Sequence, residues 1–403
     1  MTDDDATHDY KTTLEGAFSV DLLIKEVTTL RELRTFIRVP NKLYRNNPYW
    51  VPTLFMDDYQ TFRRDKNPAF DYCDARYWLA YRGREIVGRI AAIYNRAHIE
   101  KWRQPYMRFG WVDFVDDPAV SAALFAQVEA WAREKGLSAV HGPLGFTDLD
   151  REGMLVEGFE ELGTMATFYN YPYYPVHLER LGYVKDVDWM EYEMAVTPEP
   201  NATIARIADL AKRRYGLRLL QVRDKKELLR PRVEKGLPSY AHEVFDVLND
   251  EYEHLYGVVP LTERQIDYYI KLYFGLISLD FVPLVVDEND RLVAFGITMP
   301  SLSKALQKAD GRLFPFGFIH LLRALRNEDR ADAYLVAVRS EYQGKGVNAI
   351  LMDAIHRLYA QRGIRKVESN PELETNQNVQ GQWKYYETRQ HKRRRCFVKR
   401  LEA

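Results

Sequence analysis

The chain has 403 residues, more than one hydrophobic core normally serves and suited to two domains of about 200 each. Its 57 Lys and Arg against 58 Asp and Glu leave a net charge of −1, so the balance does not point to nucleic acid; two cysteines, Cys73 and Cys396, exclude a disulfide framework and suggest no metal cluster. The acidic start is unlike a secretory leader, and the longest apolar runs are broken, as Lys271, Asp280 and Pro283 break residues 268–286, so neither export nor a membrane span is expected.

Residues 1–19 read as a frayed tail ahead of the first domain. Residues 75–94 then read as a hairpin, two apolar strands with a two-residue turn at Arg82 and Gly83. A strand at 109–115 leads through Asp116, Asp117 and Pro118 into a helix over 120–135, stopped by Gly136, and 138–141 resume extended structure. Next comes an acidic cluster, Asp148, Asp150, Glu152 and Glu157. Its spacing is not that of a calcium loop, since Gly153 falls at the sixth position from Asp148 but the twelfth is Phe159. Two readings remain: carboxylates that cap their own loop, or a wall that attracts an amine.

In the second half, residues 280–287 and 291–298 read as another hairpin. About thirty residues, 301–331, separate it from the next strand at 334–338. In this insert Phe318, Leu321, Leu322 and Leu325 fall at i, i+3, i+4 and i+7, one apolar helical face, with Phe314 and Phe316 before it. Lys304, Lys308, Arg312, Arg323, Arg326 and Arg330 surround it against Asp310, Glu328 and Asp329. Such a helix can pack between domains, cover an acyl chain, or lie on an anionic bilayer, with Phe314, Phe316, Phe318, Leu321 and Leu322 as the contacting side chains.

After the strand at 334–338 come Gln343, Gly344, Lys345, Gly346, Val347 and Asn348, then a helix whose apolar stripe includes Ile350, Leu351, Ala354 and Leu358. Two glycines spaced by one residue allow a tight turn that aims free N–H groups at a helix N-terminus, where an anion such as pyrophosphate is favoured. A strand at 365–370, a helix at 378–389 and a last strand at 396–401 complete the chain.

The run Gln343 to Asn348 resembles the Gln-x-x-Gly-x-(Gly/Ala) loop of the GNAT superfamily of acyl-CoA-dependent N-acyltransferases, and the order of elements over roughly residues 215–403 is also similar; Asn348 departs from the usual glycine or alanine. The resemblance implies an α/β fold with a mixed sheet and acyl-CoA as the donor, without a metal. It assigns donor binding to Val336, Val338 and residues Gln343, Gly344, Lys345, Gly346, Val347 and Asn348, with a main-chain N–H at the end of 334–338 for the oxyanion. An amine attacks a thioester only when neutral, so a base is needed; Glu374 and Glu368 flank the expected cleft, with Asp332 and His320 as alternatives. Tyr386 matches the tyrosine that protonates the leaving thiolate in much of the superfamily, with Tyr385 as the alternative. Residues Lys392 to Arg395 suit the CoA 3′-phosphate, anionic lipid, or only a solvated face.

The first half echoes this plan with Asp116 and Asp117 where the glycine loop should stand, and two carboxylates repel pyrophosphate. It therefore reads as a degenerate GNAT-like domain over 20–197, paired with a GNAT domain over 198–403 that carries the glycine loop at 343–348. The whole resembles a tandem-domain bacterial family, some of whose members act as ceramide synthases. The resemblance then implies transfer of an acyl group, in the lipid reading a long fatty chain, to a primary amine such as a sphingoid base. A small-molecule or protein N-acetyltransferase and a non-catalytic acyl-CoA-binding protein are the alternatives. An acyl carrier protein as donor and peripheral contact of a cytoplasmic protein with the inner membrane face accompany the lipid reading.

Overall fold

A computed structural model describes residues 22–222, 224–273 and 277–402; the expected tail at 1–19 lies outside the described residues. In the first half the strands are β1 (Leu22–Glu26), β2 (Cys73–Arg82), β3 (Glu85–Asn95), β4 (Tyr106–Phe114), β5 (Ala139–Gly142), β6 (Met154–Glu157) and β7 (Val184–Ala195). The second half adds β8 (Arg218–Leu219), β9 (Leu284–Val286), β10 (Leu292–Pro300), β11 (Arg330–Val338), β12 (Lys366–Ser369), β13 (Glu372–Leu373) and β14 (Thr388–Arg400). All join one mixed sheet whose main path runs β1-β2-β3-β4-β5-β14-β7-β12-β11-β10-β9-β8. The fold is α/β, and each half repeats one plan: an antiparallel run, a helix, and a strand parallel to the one before that helix.

The halves do not close on themselves. The last strand of the first half, β7, pairs with β12, and the last strand of the second, β14, pairs with β5. The two exchanged strands run antiparallel to each other from Thr388 opposite Met194 to Val398 opposite Val184. Their charges are complementary. Arg394 Nε meets Glu191 Oε1 at 2.5 Å, Arg395 Nε meets Asp188 Oδ1 at 2.8 Å, and Arg393 Nη1 meets Asp188 Oδ2 at 3.3 Å. Lys392, 1 % exposed, pairs with Glu368 and with Glu191 at 3.6 Å. The basic run at 392–395 is thus neither a solvated face nor a phosphate ligand. Its cations neutralise carboxylates of β7 and β12 inside the sheet, where an unpaired charge would be costly, so pairing favours this register over others.

Several elements differ from the sequence reading for local physical reasons. The helix expected at 378–389 is reduced to Gln377–Gln380; Tyr386 is extended, and the last strand starts at Thr388 because its side chains have partners on β7. In the second-half hairpin, β9 is only three residues long, with Pro283, which lacks an N–H, just before it. The first-half turn falls on Gly83 and Arg84, with Gly83 at φ 60°. The first-half helix is Pro118–Glu134, capped by Asp117 accepting from the Ala119 N–H.

The insert forms the helices Ser303–Ala309 and Gly317–Asn327, and its last two residues belong to β11. Leu306, Leu321 and Ala324 pack against Val51 and Leu54 of the first half, and Gln307 donates to the carbonyls of Pro48 and Trp50. The expected apolar stripe therefore divides: Leu321 is 3 % exposed, whereas Phe318 and Leu322 face outward. Among the described residues no helix is long and apolar enough to cross a membrane.

Candidate active site

Parallel strands β11 and β12 pair only from Arg330–Lys366 to Ala333–Ser369. Beyond that point they part, because the chain after β12 turns away at Asn370, whose N–H closes on the Ala333 carbonyl at 2.9 Å. The rest of β11 thus presents an edge without a strand partner on this side among the described residues. The Tyr252 hydroxyl donates to the Val336 carbonyl on this edge at 3.0 Å. The wedge opens into a cavity of about 650 Å³, within the roughly 300–1,000 Å³ range usual for small-molecule sites.

At one end of the cavity lies the glycine loop. Gly344 and Gly346 have φ of 71° and 79°, a left-handed conformation that glycine adopts without strain. The helix Val347–Arg362 that follows has no side-chain cap, so its first N–H groups are available to an anion. At Gly346 a Cβ would stand 2.8 Å from Ile207 Cγ2, whereas Gly344 faces open space. The Glu251 carboxylate braces the loop, accepting from the Ser340 N–H at 2.7 Å, the Ser340 hydroxyl at 2.8 Å and Gln343 Nε2 at 2.8 Å.

Of the residues proposed for donor binding, Val336, Val338, Gln343, Gly344 and Asn348 line the cavity. Val347 points its side chain into the core at 1 % exposed, and Lys345 lies over the rings of Tyr215 and Tyr342, at 5.4 and 5.5 Å from their centroids. These two and Gly346 belong to the loop but do not line the cavity.

Part of the cavity lining is acidic, and most of these carboxylates come from the first half. Asp148, Asp150 and Glu152 line the cavity together with Glu372 of β13. Asp150 is a loop cap, accepting from the N–H groups of Phe146 at 2.8 Å and Thr147 at 3.1 Å. Asp148 and Glu152 make no hydrogen bond among the described residues. Burial pushes Asp148 up to about 6, and burial with repulsion from Asp148 pushes Glu152 well above the carboxylate range. The buried Arg108 guanidinium counters both. Glu372 accepts from Trp383 Nε1 at 2.9 Å, and burial raises it to about 7. A carboxylate near neutrality suits proton acceptance from an amine.

Tyr386 also lines the cavity, its phenol raised to about 12 by burial, with its ring stacked on His356 at 6.0 Å. Tyr385 lies outside and is 37 % exposed. Glu374 is turned away from the cavity: Lys185 Nζ donates to it at 2.8 Å and the Asp188 N–H at 3.1 Å. Glu368, raised to about 8 by burial, is held by Lys392 in the interstrand charge cluster. Asp332 is buried beneath Tyr334, which donates to it at 3.2 Å, and His320 sits on the insert. No residue of 301–331 lines the cavity, which leaves the insert as packing between the halves on its inner face rather than a lid.

Glu157, the last of the acidic cluster, is paired with Arg393 at 3.1 Å, away from the cavity. Glu372 was missed in the sequence because its two-residue strand is too short to show an alternation; its nearness to Glu374 was the only signal. A further grouping also escaped sequence reading. His141, Asp186 and Cys396 bring ligand-type atoms within 4.8 Å of one another, but the Tyr256 hydroxyl stands among them, 3.2 Å from His141 Nδ1, 2.5 Å from Asp186 Oδ2 and 3.4 Å from Cys396 Sγ.

Among the described residues the first half offers no equivalent donor site. Where β4 and β5 part, the gap is filled by buried Leu144 and Phe146, and the Leu144 N–H closes on the Phe109 carbonyl at 2.8 Å. Asp117 caps the helix that would receive the anion, and Asp116 meets His177 Nε2 at 2.9 Å.

Comparison with known proteins agrees with this geometry. Residues 241–390 match the Acetyltransferase (GNAT) family. The chain is 28% identical over 389 residues to Protein YghO of Escherichia coli (strain K12), covering 94% of this chain and 95% of that protein. It is 27% identical over 381 residues to the Bacterial ceramide synthase of Caulobacter vibrioides (strain NA1000 / CB15N), covering 89% and 92%. Among solved structures, the tandem GNAT protein from the clavulanic acid biosynthesis pathway matches over 95% of this chain and 99% of its own, with a TM-score of 0.56 at 12% identity, a likeness of fold.

Proposed function

We propose that the chain is a tandem-domain N-acyltransferase of the GNAT superfamily and that it transfers a long fatty acyl group from acyl-CoA to the primary amine of a sphingoid-type base. The observation that carries acyl transfer to an amine is that one cavity joins the strand-unpaired edge of β11 to carboxylates without salt-bridge partners among the described residues. The glycine loop would hold the pyrophosphate of the donor, and the β11 edge would align the pantetheine arm by strand-like hydrogen bonds. Ionised Asp148 would attract the amine as its ammonium form, with Glu152 beside it held protonated, and Glu372 would take the ammonium proton so that the neutral nitrogen can reach the thioester carbonyl. Tyr386 would return a proton to the leaving thiolate.

Two facts support the lipid reading of the substrates. One of the relatives that span most of the chain is named a ceramide synthase, and the cavity lining includes Met194, Leu335, Leu351 and Ile355. The test is mass-spectrometric product detection with purified protein, acyl-CoAs from acetyl to palmitoyl, and an amine pool that includes sphinganine, polyamines and amino acids. N-palmitoyl sphinganine as the main product is the expected result. Product with acetyl-CoA alone would return the site to small-molecule acetylation; saturable CoA binding without product would favour a non-catalytic role or an acyl carrier protein donor.

A further inference from the structure

The insert between β10 and β11 leaves a surface that packing does not explain. Its two helices are anchored from within: Leu306, Leu321 and Ala324 sit in a core shared with Val51 and Leu54 of the first half. From that anchor the connecting loop projects Phe314 and Phe316, 79 % and 68 % exposed, and the helix Gly317–Asn327 continues the apolar surface with Phe318 and Leu322. Phe314 and Phe318 touch each other, with ring centroids 6.1 Å apart, so the loop and the helix share one aromatic patch. Exposed aromatics cost solvation, and a rigid mount at an interdomain core is more than a loose loop requires.

The charge around the tip is positive. Along one ridge of the helix, Phe318, Leu322 and Arg326 follow one another at four-residue intervals, so the apolar surface passes directly into a cation, and Arg323 stands on the same outward side. The carboxylates of the insert are already engaged or distant: Asp310 with Arg312 at 3.4 Å, Glu328 with Lys304 at 3.4 Å, and Asp329 at the far end where β11 begins. Lys308, Arg323 and Arg326 have no carboxylate partner among the described residues.

We infer that this face docks on an anionic lipid bilayer, with Phe314, Phe316, Phe318 and Leu322 entering the acyl boundary and Arg323, Arg326 and Lys308 meeting lipid phosphates. Rings that protrude this far into solvent fit a fluid interior, which needs no shape complement, better than a protein partner, which does. Behind the tip the same core reaches Met165 and Tyr334, and Tyr334 and Ala166 line the cavity, so docking would set the cavity wall over the membrane surface. The inference concerns binding alone and stands whether or not the acceptor is a sphingoid base.

The test is co-sedimentation of the full chain with vesicles of phosphatidylcholine alone and of phosphatidylcholine with phosphatidylglycerol, at low and high salt. Binding to the anionic vesicles that weakens with salt is expected. Phe314→Ser with Phe316→Ser should lower it about tenfold or more, and Arg323→Glu with Arg326→Glu should abolish the preference for anionic lipid. Because all four side chains are exposed, CoA binding and circular dichroism should match the unaltered protein, which separates loss of docking from loss of fold. No sedimentation with anionic vesicles, equal binding to neutral ones, or undiminished binding by the phenylalanine variant would overturn the inference. So would capture of an acidic acyl carrier protein through these residues without any vesicle binding.

Discussion

The Glu251 carboxylate, at the end of the helix Tyr240–Tyr252, accepts from the Ser340 main-chain N–H at 2.7 Å and so ties that helix to the start of the glycine loop. Two more donors, the Ser340 hydroxyl and Gln343 Nε2, converge on it. A carboxylate so close to an anion-binding loop would repel the donor unless its charge were spent on hydrogen bonds, as it is here.

Replacing Glu251 by Ala leaves those donors without a partner and frees the loop. CoA affinity should fall roughly tenfold, the scale of one charged hydrogen bond, while the fold persists. Calorimetric titration with CoA checks this. Gly344→Asp is a companion variant: it faces open space, aspartate tolerates a positive φ better than most residues, and its charge should abolish CoA binding without unfolding the chain.

The acidic wall predicts opposite effects on activity and stability. In the folded chain Asp148 keeps its proton to about 6, above its unfolded value, so the folded state binds more protons between roughly pH 4 and 6 and stability falls as pH rises through that window. Asp148→Asn removes the penalty. It should raise stability by about 1–2 kcal/mol at pH 8 and leave it unchanged near pH 4, while acyl transfer to amines drops about a hundredfold. Thermal unfolding at the two pH values and initial rates decide it.

The Glu372 carboxyl, raised to about 7, should give kcat/KM an ascending limb near that pH, because only the ionised form accepts a proton. Glu372→Gln should remove the limb and lower the rate about a hundredfold. An unaltered limb in that variant would move the base to Asp148 or to the substrate amine itself.

Tyr386→Phe should lower kcat with little change in KM, by about tenfold to a hundredfold, since the phenol would act on the leaving group rather than on binding. Rapid-quench measurement of a single turnover separates this from slower product release.

The exchanged strands predict a shared fold. Residues 198–403 expressed alone lose β7, which flanks both β12 and β14, and should be insoluble until co-expressed with residues 1–197. Within the whole chain, Glu191→Gln leaves Arg394 and Lys392 short of a buried counter-charge and should cost about 3–5 kcal/mol in urea unfolding.

Much of the donor side was legible in the sequence because it rests on near neighbours. Two glycines, a preceding apolar strand and a following apolar stripe lie within thirty residues, and their backbone preferences act locally. The acidic cluster at 148–152 was equally plain as composition, and one of its two readings placed it beside an amine. What it could not show is that Glu372, 220 residues later, shares the cavity while the neighbouring Glu374 turns to Lys185.

By itself, then, the sequence determined the α/β class, the duplicated plan, the glycine loop and the supply of carboxylates, all set by hydrophobic period and turn chemistry over short spans. Only the tertiary structure decided that β7 and β14 exchange places, that Lys392 to Arg395 are spent on Glu191, Glu368 and Asp188, and that Leu321 turns inward while Phe318 faces out. A charge or an apolar side chain looks the same in the sequence whether water or a distant strand will meet it. Its role is settled by desolvation and pairing, and those exist only once the chain has folded.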